Sequence, residues 1–534
     1  MSLNLATILA DSAVRYADRT ALILGDQRMT YAQLWTHTRQ YARVLADRGV
    51  RPGDRVALLL PNTPHFPLAY FGALTLGAVA VPVHALLKAD EIAFVLADSG
   101  ASLLICAAPL LPTGAAGAQK TATPVLAVMD GGPDDVPRID LLARDVEPVP
   151  AIVPREATDP AVILYTSGTT GTPKGAVLTH LNVLMNVDVS VINSFGIRSD
   201  DVILGCLPLF HTFGQTCCMN TGFRAGAALV LMPRFTGEGA LDLLAREHCT
   251  VFMGVPTMYF SLLEAARDRT SSGQETQTSL RVALSGGSAL PITVLERFQE
   301  VFDVRVLEGY GLTETSPVAT FNQVSYETRP GTVGRPIWGV EVEITRADLD
   351  DQIELLPAGE VGEVIIRGHN IFAGYLNNPA ATEATFTDGW FRTGDLGTKD
   401  ADDYLSIVDR KKEMILRGGF NVYPREVEEA LLRHPGVAQV AVIGTADEKY
   451  GEEVCAIVVR DLTGPQITAD ELSEWAKEQI ASYKYPRIVH FVESLPLGPS
   501  GKVLKRELVG QYANVPVITV TAGPPTQTRS PGVT

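Results

Sequence analysis

The stretch YTSGTTGTPKGA, residues 165–176, interleaves hydroxyl side chains with glycines and brings them up to a single lysine. Hydroxyls, bare backbone N–H groups and an ammonium suit phosphate oxygens, because glycine lets amides approach closely and lysine supplies charge. The same composition serves a solvated linker, and composition alone leaves both readings open. The common nucleotide loops do not fit. A Walker loop needs a glycine where Pro173 stands and a hydroxyl where Gly175 stands. The dinucleotide pattern needs a glycine two places after Gly168, where Thr170 is found. A nucleophile elbow needs a glycine where Tyr165 stands, two places before Ser167.

Three further turns carry similar groups: SGGSALP over 285–291, EGYGLTETSP over 308–317 and GWFRTGDLG over 389–397. Standing alone, each would be an ordinary surface loop. In open α/β sheets, however, ligands bind at turns beyond the carboxyl ends of parallel strands. Several such turns bearing hydroxyls or carboxylates point to a nucleotide site.

The elements that must position these turns follow from periodicity and capping. Thr30-Tyr31-Ala32-Gln33 is a capping box, predicting a helix that runs to about Arg48 and stops at Gly49. RVALLLP over 55–61 is a short apolar run bounded by glycine and proline, which suits a buried strand. AVILYT, VILGCLP, ALVLMP and RVALSGG repeat that pattern with helical segments between them. The alternation predicts an α/β fold with parallel-rich sheets. Beyond about residue 330 the texture turns to short strands (VEVEIT, GEVIIRG, TDGWFRTGDLG), predicting a β-rich module. After VDRKK, Pro424 opens a helix, strands VAVIG and VCAIVVR follow, and Thr468-Ala469-Asp470-Glu471 caps another helix. The expected division is a large N-terminal domain over 1–409, a small α+β C-terminal domain over 410–515, and a disordered Pro-, Thr- and Gly-rich tail over 516–534.

Composition bounds the partners. At 534 residues the chain exceeds one hydrophobic core. Hydrophobic residues at 46% and charged residues at 20% are ordinary for soluble proteins. A net charge of −17 argues against nucleic acid or an anionic membrane as the main partner. The six cysteines form no C-x-x-C pair, which disfavours zinc or a disulfide framework. No basic start precedes an apolar core at the N-terminus, and the longest apolar runs fall short of a spanning helix. The expectation is a cytoplasmic chain without a membrane span.

In order and spacing, YTSGTTGTPKGA, EGYGLTET, WFRTGDLG, VDRKKEMILRGGFNVYPREVEE and PSGKVLKREL resemble the motifs of the adenylate-forming superfamily, over about residues 8–512. Its members include acyl-CoA synthetases, coumarate–CoA ligases, luciferases and the adenylation domains of peptide synthetases. The resemblance implies an acid–thiol ligase. ATP with Mg2+ would activate a small-molecule carboxylic acid as an acyl-adenylate, and CoA, as co-substrate, would displace AMP to give a thioester. A carboxylate repels nucleophiles and lacks a leaving group; transfer of AMP supplies one, provided the polyphosphate charge is offset.

Residue by residue, the resemblance makes Thr166, Ser167, Gly168, Thr169, Thr170, Gly171 and Lys174 the loop over the ATP phosphates. Glu308, Gly309, Tyr310, Gly311 and Thr313 would border the nucleotide, with Tyr310 stacking on adenine and Thr313 binding the AMP phosphate. Glu314 would hold magnesium, with Thr166 as its companion, both hard oxygen donors. Gly286, Gly287 and Ser288 match the turn beside the adenine and the acyl pocket. Asp395 would accept both ribose hydroxyls, and Arg410 would make a second ribose or phosphate contact. His211 matches the mouth of the acyl tunnel. Lys502, flanked by Gly498 and Gly501 and expected to be exposed, would bridge the acid and the α-phosphate in the first half-reaction. Lys412 falls at the hinge about which the family's small domain rotates. Gly418 and Gly419 match the glycines past which pantetheine runs.

Between Leu204 and Cys218 the polar or aromatic candidates are Cys206, His211, Thr212, Phe213, Gln215, Thr216 and Cys217, which suits an uncharged chain or ring. The expected substrate is a medium- or long-chain fatty acid, with a coumarate-like aryl acid as the alternative. A carrier-protein thiol is the alternative acceptor, disfavoured because no extra segment stands between Gly394 and Pro424. Leu416 and Arg417 depart from the luciferase pattern, and no carrier domain follows, which disfavours a peptide-synthetase module. Outside the enzyme class stands a binding protein that keeps the fold without activity, set against the presence of every expected catalytic side chain. The sequence leaves the oligomeric state open.

Overall fold

The computed structural model describes residues 3–166, 173–274, 276–498 and 501–512. It divides into two units. One is Met1–Lys412 with Leu497–Lys502; the other is Glu413–Pro496 with Val503–Thr534, whose described part ends at Tyr512. The tail expected over 516–534 lies outside the described residues.

Among the described residues, the first unit carries three sheets. The widest runs in the order Arg335–Pro336, Val318–Phe321, Arg305–Gly311, Val282–Ser285, Val251–Gly254, Val202–Gly205, Ala228–Leu231, Thr20–Leu24 and Gln27–Thr30. From Arg305–Gly311 to Thr20–Leu24 the pairings are parallel, and both margins are antiparallel. Val251–Gly254 and Val282–Ser285 are buried at every residue, which is why they read as unbroken apolar runs. The second sheet runs Gly374–Tyr375, Lys174–Thr179, Pro160–Thr166, Val79–Pro82, Arg55–Leu59, Ala101–Ala107 and Val125–Val128, with its first two strands antiparallel to their neighbours. The third is antiparallel: Val340–Thr345, Gly362–Gly368, Trp390–Lys399 and Phe386–Thr387, with Leu405–Arg410 laid against Trp390–Lys399. This is the β-rich module that the change of texture predicts.

The second unit is a mixed sheet of Phe420–Val422, Ile415–Arg417, Gly451–Arg460 and Val437–Asp447, with Ile488–Val492 parallel to Gly451–Arg460. The helices Pro424–Leu431 and Ala469–Gln479 bury Val427, Leu431, Leu472 and Ala476 in a core shared with Val442, Val454 and Val458. The local signals hold where they are strongest. Thr30 caps Tyr31–Asp47 with both halves of the box formed, Thr468 does the same for Ala469–Gln479, and Pro424 is the first residue of its helix.

One carboxylate fastens the amino ends of the central strands. Asp201 is 3% exposed and precedes Val202–Gly205. Its Oδ1 accepts from Arg281 Nε and from the Thr250 hydroxyl, each at 2.7 Å. Its Oδ2 accepts from the Arg198 N–H at 2.6 Å and from the Arg281 guanidinium. Thr250 and Arg281 stand immediately before Val251–Gly254 and Val282–Ser285. One side chain therefore aligns three strands whose opposite ends carry the turns of interest. Burial alone would raise the Asp201 carboxyl; the bonds from Arg281, Thr250 and Arg198 outweigh it and hold the group below the usual carboxylate range. Its contribution to stability is present above the unfolded value, about pH 4, and is lost as pH falls through the depressed folded value. Asp201→Ala strands the Arg281 cation and should cost about 3–5 kcal/mol. Denaturant unfolding checks this, and an unchanged midpoint would contradict it.

Candidate active site

The turn leaving the parallel strand Arg305–Gly311 is the point on which the other segments converge. Glu308, 4% exposed, accepts from the Leu290 N–H through Oε1 at 3.1 Å and so anchors the loop after Val282–Ser285. At Gly311 a Cβ would stand 1.8 Å from the Pro317 carbonyl oxygen, so the chain can double back there only on glycine. The Tyr310 hydroxyl donates to Asp395 Oδ2 at 2.6 Å, and Arg410 Nε lies 3.4 Å from Asp395 Oδ1. Asp395 and Arg410 face each other across the antiparallel pair Trp390–Lys399 and Leu405–Arg410, and Asp395 is 5% exposed. Burial, then the charge and hydrogen bond of Asp395, push the Tyr310 phenol well above its ordinary value, so it remains a donor.

The same turn continues through the half-buried Thr313 to Glu314, which is 9% exposed. The Glu314 carbonyl accepts from the Phe372 N–H at 2.9 Å, and its Oε1 accepts from the Tyr375 hydroxyl at 2.7 Å. The Lys174 ammonium stands over the Tyr375 ring, 5.0 Å from the centroid. Thr166 pairs directly with Lys174 across the antiparallel strands, which places the ends of the first motif together. Ser167, Gly168, Thr169, Thr170 and Gly171 lie outside the described residues.

A third group gathers at the end of Val282–Ser285. A Cβ on Gly286 would meet Phe213 Cζ at 3.4 Å; one on Gly287 would meet Val255 Cγ1 at 3.3 Å and Lys502 Cε at 3.5 Å. Ser288 is exposed just beyond. Phe213 opens a π-helical stretch, Phe213–Asn220, whose residues from Gly214 onward are buried. A wide turn of this kind marks functional sites more often than a regular helix does. Just before it, half-buried His211 accepts from the Phe213 N–H through Nδ1 at 3.3 Å. Burial, helped by the nearby charges of Lys502 and His84, lowers His211 to about 3, so its imidazole stays neutral.

Lys502 corrects one expectation: it is half-buried, not exposed. The reason is a contact distant in sequence. Gly501 presents its carbonyl to the Thr257 hydroxyl at 3.1 Å, drawing the lysine stem against Gly287. Burial and the Arg410 guanidinium lower the Lys502 ammonium to about 8, against the opposite pull of Asp395 and Glu314.

These groups span sheets and loops more than three hundred residues apart, and comparison with known proteins gives the assembly its family. The model of the AMP-binding enzyme family matches residues 9–376, and that of the AMP-binding enzyme C-terminal domain matches 426–502. The chain belongs to the AMP-binding enzyme family. It is 34% identical to a long-chain-fatty-acid–CoA ligase of Bacillus subtilis, over 95% of this chain and 94% of that protein. It is 37% identical to a feruloyl-CoA synthase of an Amycolatopsis species, over 92% of this chain and 95% of that protein. The crystal structure of ATP-bound MatB from Rhodopseudomonas palustris superposes with a TM-score of 0.87 at 33% identity, covering 96% of this chain and 99% of that one.

In this AMP-binding enzyme the remaining site candidates sit in the second unit. Gly418 and Gly419 form the two-residue turn between Ile415–Arg417 and Phe420–Val422, at φ of +57° and +84°. A hairpin turn of that hand demands glycine on its own account. Tyr375 escaped sequence reading: it lies in no glycine-rich turn, and only strand pairing with a segment two hundred residues earlier reveals its position. His84, whose ring lies 4.4 Å from that of Phe210, also went unnamed, since only a contact more than a hundred residues away reveals it.

The two shifted groups make a test. In kcat/KM for adenylate formation, which reports free-enzyme groups, activity should hold below about pH 8 and fall above it as Lys502 loses its proton. Lys502→Arg should move that limb out of range, since a guanidinium does not titrate there. No acidic limb between about pH 5 and 8 should belong to His211. A limb in that range that vanishes in His211→Gln would contradict the neutral imidazole.

Proposed function

We propose that this chain, an AMP-forming acid–CoA ligase, activates a medium- or long-chain fatty acid with ATP and passes the acyl group to CoA. The observation that carries the adenylation step lies within the first unit, where Arg410, Asp395 and Glu314 are near enough to Lys502 for each charge to move its ammonium. A cation so placed suits a reaction in which a carboxylate oxygen attacks the α-phosphorus and pyrophosphate leaves. Lys502 stabilises the negative charge shared by acid and phosphate; Asp395, oriented by Tyr310, accepts the ribose hydroxyls; Lys174 and Thr166 border the polyphosphate. In the second step the CoA thiol attacks the acyl carbon, loses its proton, and AMP departs. The exposed Gly418–Gly419 turn is the part of the second unit that would take the pantetheine arm.

Magnesium, held by Glu314 with Thr166, would offset the charge of the leaving pyrophosphate. The residues present fit it. Among the described residues no cluster of three or more His, Cys, Asp or Glu could hold a metal; Glu314 and Thr166 would supply one carboxylate and one hydroxyl. That small donor set suits a cation which keeps water and takes most of its remaining ligands from substrate phosphates.

The acid reading rests on an uncharged wall. Phe213, Gly214, Gln215, Thr216, Cys217, Cys218, Met219 and Asn220 carry no formal charge, and Phe213 and Val255 flank the Gly286–Gly287 turn. Such a wall gains from each methylene it covers. A second reading, an aryl acid, is favoured by the Phe213 ring lying against Gly286, where it could meet another ring. CoA-dependent AMP release across straight-chain acids of about two to eighteen carbons, and across cinnamates, separates the two. For a fatty acid, kcat/KM should rise about fourfold per carbon until the pocket ends. A flat series with cinnamates preferred would replace the fatty acid by the aryl acid.

A further inference from the structure

Two charged groups of the site meet on Tyr375. Its hydroxyl donates to Glu314 Oε1 at 2.7 Å, while Lys174 Nζ lies over its ring at 5.0 Å. The backbone fixes the tyrosine from several sides. Tyr375 pairs with Ala176, two residues beyond Lys174. Its N–H donates to Thr382 Oγ1 at 2.9 Å. Three residues earlier, the Phe372 N–H donates to the Glu314 carbonyl at 2.9 Å. Asn182 Nδ2 holds the carbonyls of His369 at 2.7 Å and Ile371 at 2.9 Å. The Tyr375 ring packs edge-on to Phe372, with centroids 4.9 Å apart.

This arrangement does more than fill space. A nearly buried carboxylate whose Oε1 is taken by a phenol is held in one rotamer, and Oε2 is presented in one direction. The ring face attracts the Lys174 ammonium, but more weakly than a carboxylate would. A cation resting there is kept in place yet yields readily to phosphate.

We propose that Tyr375 is a positioning residue that serves both sides of the polyphosphate. Its hydroxyl orients Glu314 toward the nucleotide's divalent cation, and its ring stations Lys174 beside the phosphates. The proposal rests on the reading above, in which Glu314 takes the cation and Lys174 the phosphates.

The test is calorimetric binding of α,β-methylene-ATP, with and without Mn2+ as the probe cation, to the full chain and three variants. In the parent, Mn2+ tightens binding. Tyr375→Phe keeps the ring and loses the donor: its metal-free affinity should match the parent, while the Mn2+ enhancement falls about tenfold. Tyr375→Leu also loses the ring face and should weaken metal-free binding about two- to fivefold. Glu314→Gln should abolish most of the enhancement. If Glu314→Gln does so while Tyr375→Phe keeps the parent's enhancement, the role of Tyr375 is overturned and the reading of Glu314 stands. If neither variant changes it, both are overturned. Equal weakening of metal-free and metal-bound affinity in Tyr375→Phe would make the tyrosine merely structural and would also overturn the proposal.

Discussion

Among the described residues of the first unit a phenol bonds a buried carboxylate twice, and each pair ties one sheet to another. Tyr310, at the end of a parallel strand, donates to Asp395 on the antiparallel sheet. Tyr375, on the margin of the second sheet, donates to Glu314 in the turn that leaves the same parallel strand. The constraint is one of solvation. A carboxylate withdrawn from water costs several kcal/mol unless its oxygens find donors, and a phenol supplies a donor without adding charge. Each phenol thus satisfies one carboxylate oxygen without changing the local charge. The same bonds hold three sheets to one another, so the site and the join between sheets are built by the same side chains.

The electrostatics follow from that arrangement. The chain carries a net charge of −17, yet Lys174, Lys502 and Arg410 stand around this turn. Glu308, Glu314 and Asp395 stand there too, so the turn offers a nucleotide individual cations and no broad basic surface, which favours a small ligand over an extended nucleic acid. Lys502 is central because it is both desolvated and faced by Arg410, and so gains most from an anion placed between them. The neighbouring π-helical stretch is uncharged, and His211 stays neutral.

Much of this was legible in the sequence, for reasons particular to each element. The helix after Thr30 and the helix after Thr468 announce themselves because a capping box is a local bargain between neighbouring residues. Tyr310, Glu314 and Asp395 could be singled out because they lie in the contiguous motifs that carry the family resemblance. What sequence withholds is contact at long range. Tyr375 gains its meaning from Ala176 and Glu314, and nothing in the words around it discloses either. The burial of Lys502 depends on Thr257, in the first turn of the helix Pro256–Ser271, and on Gly287, in a strand-end turn, both far earlier in the chain. Its glycine neighbours signal an exposed bend until those contacts are seen. The π-helical widening after His211 has no periodic signature, since it rearranges hydrogen bonds without changing the pattern of apolar residues.

The central claim is that Lys502 serves the transfer of AMP and nothing later. Lys502→Ala, assayed separately for adenylate formation by pyrophosphate exchange and for thioester formation from ready-made acyl-adenylate and CoA, tests it most directly. The account predicts a loss of about two to three orders of magnitude in the first assay and a rate close to the parent's in the second. An equal loss in both would contradict it.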